Sequence, residues 1–112
     1  MNIDDYKFGN IVIDGKRYSS DVIIHPDRVE AEWWRKEGHT LHLEDLTTVF
    51  ESDSDTLIVG TGRYGRMSIP SNVRREIEDR GIRLIAEKTE QACETYNGLE
   101  ENKAMAALHL SC

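Results

Sequence analysis

Apolar and polar positions alternate through the first third of the chain and recur at helical spacing through much of the rest. The stretch "FGNIVIDGKRYSSDVIIHPDRVEAEWW" (8–34) reads as a β-meander. Its first reversal is the Asp14-Gly15 step between "IVI" and "KRY", a strong hairpin signal. Its second is "HPDR", where Pro26 presets one dihedral and Asp27 can bond its own backbone. In the third strand Val29, Ala31 and Trp33 share one face, and Glu30, Glu32 and Trp34 share the other. "RKEGH" then leaves the sheet.

From residue 43 the period changes. "LEDLTTVFES" places Leu43, Leu46 and Phe50 at helical spacing, with acids in the first turn where the helix dipole favours them. "TLIV" is a short buried strand. Pro70 and Ser71 then start a helix whose inner face carries Val73 and Ile77, and Gly81 stops it. "IRLIAE" is a strand, Thr89 caps the helix "TEQACETYNGL", and "AMAALHL" is a last strand, apolar on both faces like a central one. The second half is therefore β-α-β-α-β. Strands joined this way usually run parallel, which brings Gly60 to Gly62, Glu87 to Thr89 and His109 to Cys112 to one edge, where open α/β sheets bind ligands.

Composition narrows the function classes. The chain has 112 residues, the size of one domain, here 1–112, with 38% hydrophobic and 31% charged residues. Twenty-one acidic against fourteen basic residues leave a net charge of -7, so neither nucleic acid nor an anionic membrane is an expected partner. No apolar run approaches the ~20 residues of a membrane span. "MNIDDYKFG" has neither the basic segment nor the apolar stretch of a secretory signal, so a cytoplasmic location is expected. Cys93 and Cys112 are then expected as free thiols.

"LIVGTGRYGRMSIP" (57–70) contains a literal G-x-G-x-x-G at Gly60, Gly62 and Gly65. A dinucleotide site needs the third glycine to open the helix that holds the pyrophosphate, but here the helix starts five or six residues later. No cofactor is therefore expected. A smaller anion fits better. Amides freed by Gly60, Thr61, Gly62 and Gly65 would turn to one point, and Arg63 and Arg66 would add charged donors for phosphate or carboxylate. Thr61, Ser68 and Ser71 offer hydroxyls. The same residues also suit a tight reversal, with Arg63-Tyr64-Gly65 turning the chain and "RMSI" running back.

Other chemistry is sparse. His39-x-x-His42, with Glu44 and Asp45, supplies too few converging ligands for zinc, so no metal is expected. His109 lies inside an apolar strand and reads as a buried neutral histidine. Its sharper alternative is proton transfer beside Cys112, although three residues along one strand put the two side chains on opposite faces. No catalytic residue is assigned. Cys93 shares the helix with Ala92, Tyr96 and Leu99 and reads as packing. Of Trp33 and Trp34, one must face away from the core. An outward Trp34 beside Arg35 is a typical anchor for a protein partner.

Several ordered motifs together carry a family likeness: "FGNIVIDGKRY", "DVIIHPD", "WWRKEGH", "EDL", "LIVGTGRYG", "T-x-x-A-C-x-x-Y-N" and "AALHLSC". Through them the chain resembles a family of largely uncharacterised archaeal and bacterial domains, whose eukaryotic relatives include a mitochondrial complex I assembly factor and an adipogenesis-associated human protein. The resemblance implies a three-layer α/β domain with a mixed central sheet and a role in assembly or interaction, and it carries no catalytic residues. The glycine loop, Tyr96-Asn97, the tryptophan pair and His39 match the pattern, and Ser111 stands where threonine is more usual. The expected function is a non-enzymatic binding module; the alternative is a small-anion protein or enzyme built on residues 60–66.

Overall fold

The computed structural model describes residues 1–99 and 104–112. The first strands follow the hydrophobic alternation. β1 (Ile3–Lys7), β2 (Asn10–Ile13) and β3 (Lys16–Tyr18) form an antiparallel three-stranded sheet, with the Asp14-Gly15 turn joining β2 to β3. The meander then divides. β4 (Val22–Ile24) and β5 (Val29–Glu30) leave the small sheet and join a larger one.

The third strand is shorter than its alternation suggests. Only Val29 and Glu30 pair, because Glu32 adopts a left-handed conformation with φ of 55°. Its N–H takes the Ser20 hydroxyl at 3.0 Å and the next N–H, of Trp33, takes the Asp21 carbonyl at 2.8 Å. The predicted helix over 43–52 is likewise reduced, to a 3-10 turn (Leu43–Leu46) running into α1 (Thr47–Phe50). Leu43, Leu46 and Phe50 still face the core as their spacing predicts, and Val49 joins them.

The second half is β6 (Thr56–Thr61), α2 (Ser71–Asp79), β7 (Arg83–Glu87), α3 (Thr89–Gly98) and β8 (Ala104–His109). The large sheet has the order β5-β4-β8-β6-β7. β6 runs parallel to both β7 and β8, while β4 runs antiparallel to β8, so the sheet is mixed. β8 lies at its centre and is buried along its whole length, as an apolar run covered on both faces should be.

Alternation along β6 and β8 sends side chains to two cores. Leu57, Val59, Met105 and Ala107 meet Trp33, Leu41, Leu46, Val49, Val73 and Ile77 on one face. Ile58, Ala106 and Leu108 meet Ile11, Ile13, Ala92, Cys93 and Tyr96 on the other. The layers are thus the 33–50 segment with α2, the five-stranded sheet, and α3 with the small sheet. Asn97 ties the last layer together by clamping both backbone groups of Ile3, at 2.9 and 2.8 Å.

Candidate functional site

The parallel pairing of β6 with its neighbours brings the expected segments to one end of the large sheet. Thr61 lies opposite His109 across β6 and β8, and its hydroxyl donates to the Glu87 carbonyl at 3.1 Å. Thr89 is fully buried between them. Its hydroxyl donates to the His109 carbonyl at 2.6 Å and accepts the Gly62 N–H at 2.9 Å. Thr89 is therefore the first residue of α3 and a brace between strands, rather than the helix cap that its position suggests.

The glycines serve this packing. A Cβ on Gly60 would lie 2.8 Å from the Thr89 hydroxyl and 2.9 Å from Leu108 Cδ2. Gly62 has φ of 104°, and a Cβ there would overlap the Cys112 carbonyl and come within 2.9 Å of the His109 ring. The amides of the loop turn inward. Arg63 N–H donates to the Ser111 carbonyl at 2.6 Å, Arg66 N–H to the Cys112 carbonyl at 3.1 Å, and Gly65 N–H to the Gly62 carbonyl at 3.2 Å. The chain then runs back, with Met67 N–H on the Thr61 carbonyl at 3.0 Å. The loop is thus the tight reversal, and its amides do not converge on an outside anion. Its cations also find protein partners or water: Arg63 pairs with Glu90 at 3.0 Å over the Tyr6 ring, and Arg66 is exposed.

On the Trp33 face of the same edge lies a cluster that no spacing in the sequence announces. Asp21, immediately before β4, accepts the Leu110 N–H at 2.7 Å through one oxygen. The other oxygen meets Arg35 Nη1 at 2.5 Å and His109 Nδ1 at 2.8 Å. Arg35 Nη2 lies 2.9 Å from that same Nδ1, and the guanidinium stacks 4.9 Å over the Trp33 ring. A guanidinium only donates and a carboxylate only accepts, so Nδ1 satisfies one neighbour at a time according to its protonation. Burial by itself raises the Asp21 carboxyl, but the bonds from His109, Leu110 and Arg35 outweigh it and hold the group below the usual carboxylate range.

His109 Nε2 is enclosed, without a hydrogen-bond partner. A proton-transfer group needs its free nitrogen within reach of a reactant, and this nitrogen is sealed. The Arg35 side chain, only 5% exposed, is likewise turned inward, so it does not stand beside Trp34 on the surface. Trp34 itself is 80% exposed and Trp33 is 4% exposed, with its indole N–H on the Asp45 carbonyl at 2.9 Å. Asp45 also accepts the N–H groups of Lys36 and His42, fixing the 35–45 segment. His42 pairs with Glu37 at 3.0 Å, while the His39 ring sits 6.5 Å from that of His109. Among the described residues no three His, Cys, Asp or Glu side chains gather as a metal would require.

The exposed side of this end is aromatic. Phe8, in the β1–β2 turn, lies 6.2 Å from Tyr64 in the glycine loop. The turn is pinned by Gly9 N–H on the Leu110 carbonyl at 2.9 Å, and Tyr6 donates its hydroxyl to the same carbonyl at 2.8 Å. Burial pushes the Tyr6 hydroxyl up to about 12, against the opposing pull of Arg63.

Residues 3–109 match the sequence profile of a family described as a protein of unknown function, DUF498/DUF598. Solved structures show the same architecture. A conserved hypothetical protein of Pyrococcus horikoshii OT3 is 29% identical, with a TM-score of 0.84 over 100% of both chains. A Bordetella pertussis protein described as a Mth938-like domain is 20% identical over 97% of this chain and 85% of its own, with a TM-score of 0.66. A Bartonella henselae protein described as an outer membrane protein is 22% identical over 98% of this chain and 94% of its own, with a TM-score of 0.83. In the present chain, no helix among the described residues is long and apolar enough to cross a membrane.

Proposed function

We propose that this chain, which belongs to the DUF498/DUF598 family of proteins of unknown function, is a non-catalytic binding module that docks a protein partner at the carboxyl end of its parallel strands. One observation carries the reading. The exposed large hydrophobic side chains of the described residues, Phe8 (52%), Trp34 (80%) and Tyr64 (63%), all stand on segments anchored at that end. Phe8 and Tyr64 flank the 109–112 segment, and Trp34 follows the residue whose N–H is held by Asp21. Aromatic side chains offer large contact area at low entropic cost and are enriched among interface anchors.

The alternative, an anion held by Gly60, Thr61, Gly62, Arg63, Gly65 and Arg66, has lost most of its donors, since the amides of Gly62, Arg63, Gly65 and Arg66 bond within the chain. The resemblance to assembly-associated relatives agrees with a docking role, and a cytoplasmic setting suits the free thiols of Cys93 and Cys112. Affinity capture from native lysate is the test, run in parallel with wild type, Trp34→Ala and Phe8→Ala/Tyr64→Ala. Proteins retained by wild type and lost by the variants are the expected outcome. Identical capture by all three sinks the reading, as does a thermal shift with phosphate that disappears in Arg63→Ala/Arg66→Ala.

A further inference from the structure

β7 is an edge strand whose charges are confined to its two ends, Arg83 and Glu87. The other edges are blunted: β5 has two residues, β3 has three and displays Lys16 and Arg17, and β1 is charged and irregular between Ile3 and Asp5. β7 is five residues, Arg83-Leu84-Ile85-Ala86-Glu87, in unbroken register with β6 and, among the described residues, with no strand on its other side. It has no proline, lysine or bulge.

Its backbone orientation follows from two bonds. Arg83 N–H donates to the Asp55 carbonyl at 2.8 Å, and the Glu87 carbonyl accepts the Thr61 hydroxyl at 3.1 Å, both towards β6. Backbone groups of successive strand residues point to opposite sides, so the N–H and C=O of Leu84 and Ala86 point outward. We infer that β7 pairs antiparallel with β7 of a second copy of this chain, across a two-fold axis through Ile85, joining two five-stranded sheets into one of ten.

The register follows from which groups face outward. Only Leu84 and Ala86 can exchange bonds with the other copy, and placing each opposite the other's counterpart centres the pair on Ile85. Leu84 and Ala86 then form two hydrogen-bonded pairs, with four main-chain bonds in all. Ile85 meets its own counterpart. Arg83 falls opposite the second copy's Glu87, twice, at the closer non-hydrogen-bonded positions where opposite charges attract. A two-fold axis normal to the sheet keeps Arg83, Ile85 and Glu87 of both copies on one face, the face where Ile85 packs towards α3. The sequence R-L-I-A-E is thus its own electrostatic complement when reversed.

Sedimentation of the full chain from micromolar to submillimolar concentration tests this. The expected species has twice the 12.8 kDa chain mass. Arg83→Glu sets like charges opposite each other twice and weakens association about tenfold. The swap Arg83→Glu/Glu87→Arg restores it. Ala86→Pro removes an outward N–H while sparing the β6 ladder, so a variant with unchanged circular dichroism is expected as a monomer. A wild type that stays monomeric overturns the inference. So does a dimer indifferent to Ala86→Pro, or a charge swap that fails to rescue Arg83→Glu.

Discussion

Arg35 Nη1 and Asp21 Oδ2 meet at 2.5 Å beneath the surface, fourteen residues apart in sequence, with His109 closing the group from the far end of the chain. The pair fastens the segment after β5 to the centre of the sheet. Removing one member of such a pair leaves a buried charge uncompensated. Arg35→Met and Asp21→Ala are each expected to cost about 3 kcal/mol in urea unfolding. The double variant should cost clearly less than the sum, by at least about 1 kcal/mol. Additive losses would show that the contact contributes nothing as a pair.

The same carboxyl sets an acid limit. Its folded value lies below the ordinary 3.8, so its contribution is complete above that value and is lost as pH falls through the depressed one. Unfolding midpoints measured from pH 6 down to pH 2 should drop in the acid range. Asp21→Asn should start lower and show a shallower drop. A parallel decline in both proteins would assign the acid limb to other carboxylates.

Glycine replacement separates the loop's tight positions from an unhindered glycine elsewhere, Gly38. Gly60→Ala and Gly62→Ala force contacts with Thr89, Leu108 and Cys112, and each should cost more than about 2 kcal/mol. Gly38→Ala meets nothing within 4 Å and should stay within about 0.5 kcal/mol of wild type. Thermal melts suffice, and equal effects at the three positions would contradict the packing.

Thr89 is tested by shape and hydroxyl separately. Thr89→Val keeps the volume but leaves Gly62 N–H and the His109 carbonyl without their partner, and about 2 kcal/mol should be lost. Thr89→Ser keeps the hydroxyl and should lose less. The reverse ranking would mean that the methyl, not the hydroxyl, is what matters.

The two thiols should differ sharply. Burial, and then Glu90 and Glu94, push the Cys93 thiol up to about 12, whereas Cys112 is partly exposed. A disulfide reagent at pH 8 should modify Cys112 alone until denaturant is added. Because the unfolded thiol ionises near 9.0, the stability contributed by a neutral Cys93 falls as pH climbs from there towards 12. Two equivalents reacting at once in the native protein would place Cys93 in solvent.

How far these features could be read in the chain depended on how local they are. The hairpin at Asp14-Gly15, the helix starting at Ser71 and the doubly apolar β8 are properties of short windows, and all stand in the structure. β1 escaped because Ile3-Asp4-Asp5-Tyr6-Lys7 is mostly charged. It is a strand because its backbone pairs with β2, and Asn97 grips Ile3 from ninety-four residues away. Asp21, Arg35 and His109 each look ordinary in sequence; the antiparallel pairing of β4 with β8 brings Asp21 to His109, and the Trp33 N–H on the Asp21 carbonyl brings Arg35 to them. The glycines did mark a constrained place, but their cause is the close approach of Thr89 and Cys112, which a glycine pattern cannot distinguish from an anion cradle.

The central position of β8 governs the order in which the molecule can be made. β4 and β6 flank a strand that the ribosome delivers long after both of them. Until residues 104–109 emerge, each presents an apolar strand with its neighbour missing, and the nascent chain holds two unfilled halves of a sheet. A chain halted just before that strand exposes unpaired apolar edges of the kind that chaperones shield, and both halves can close only once it is present.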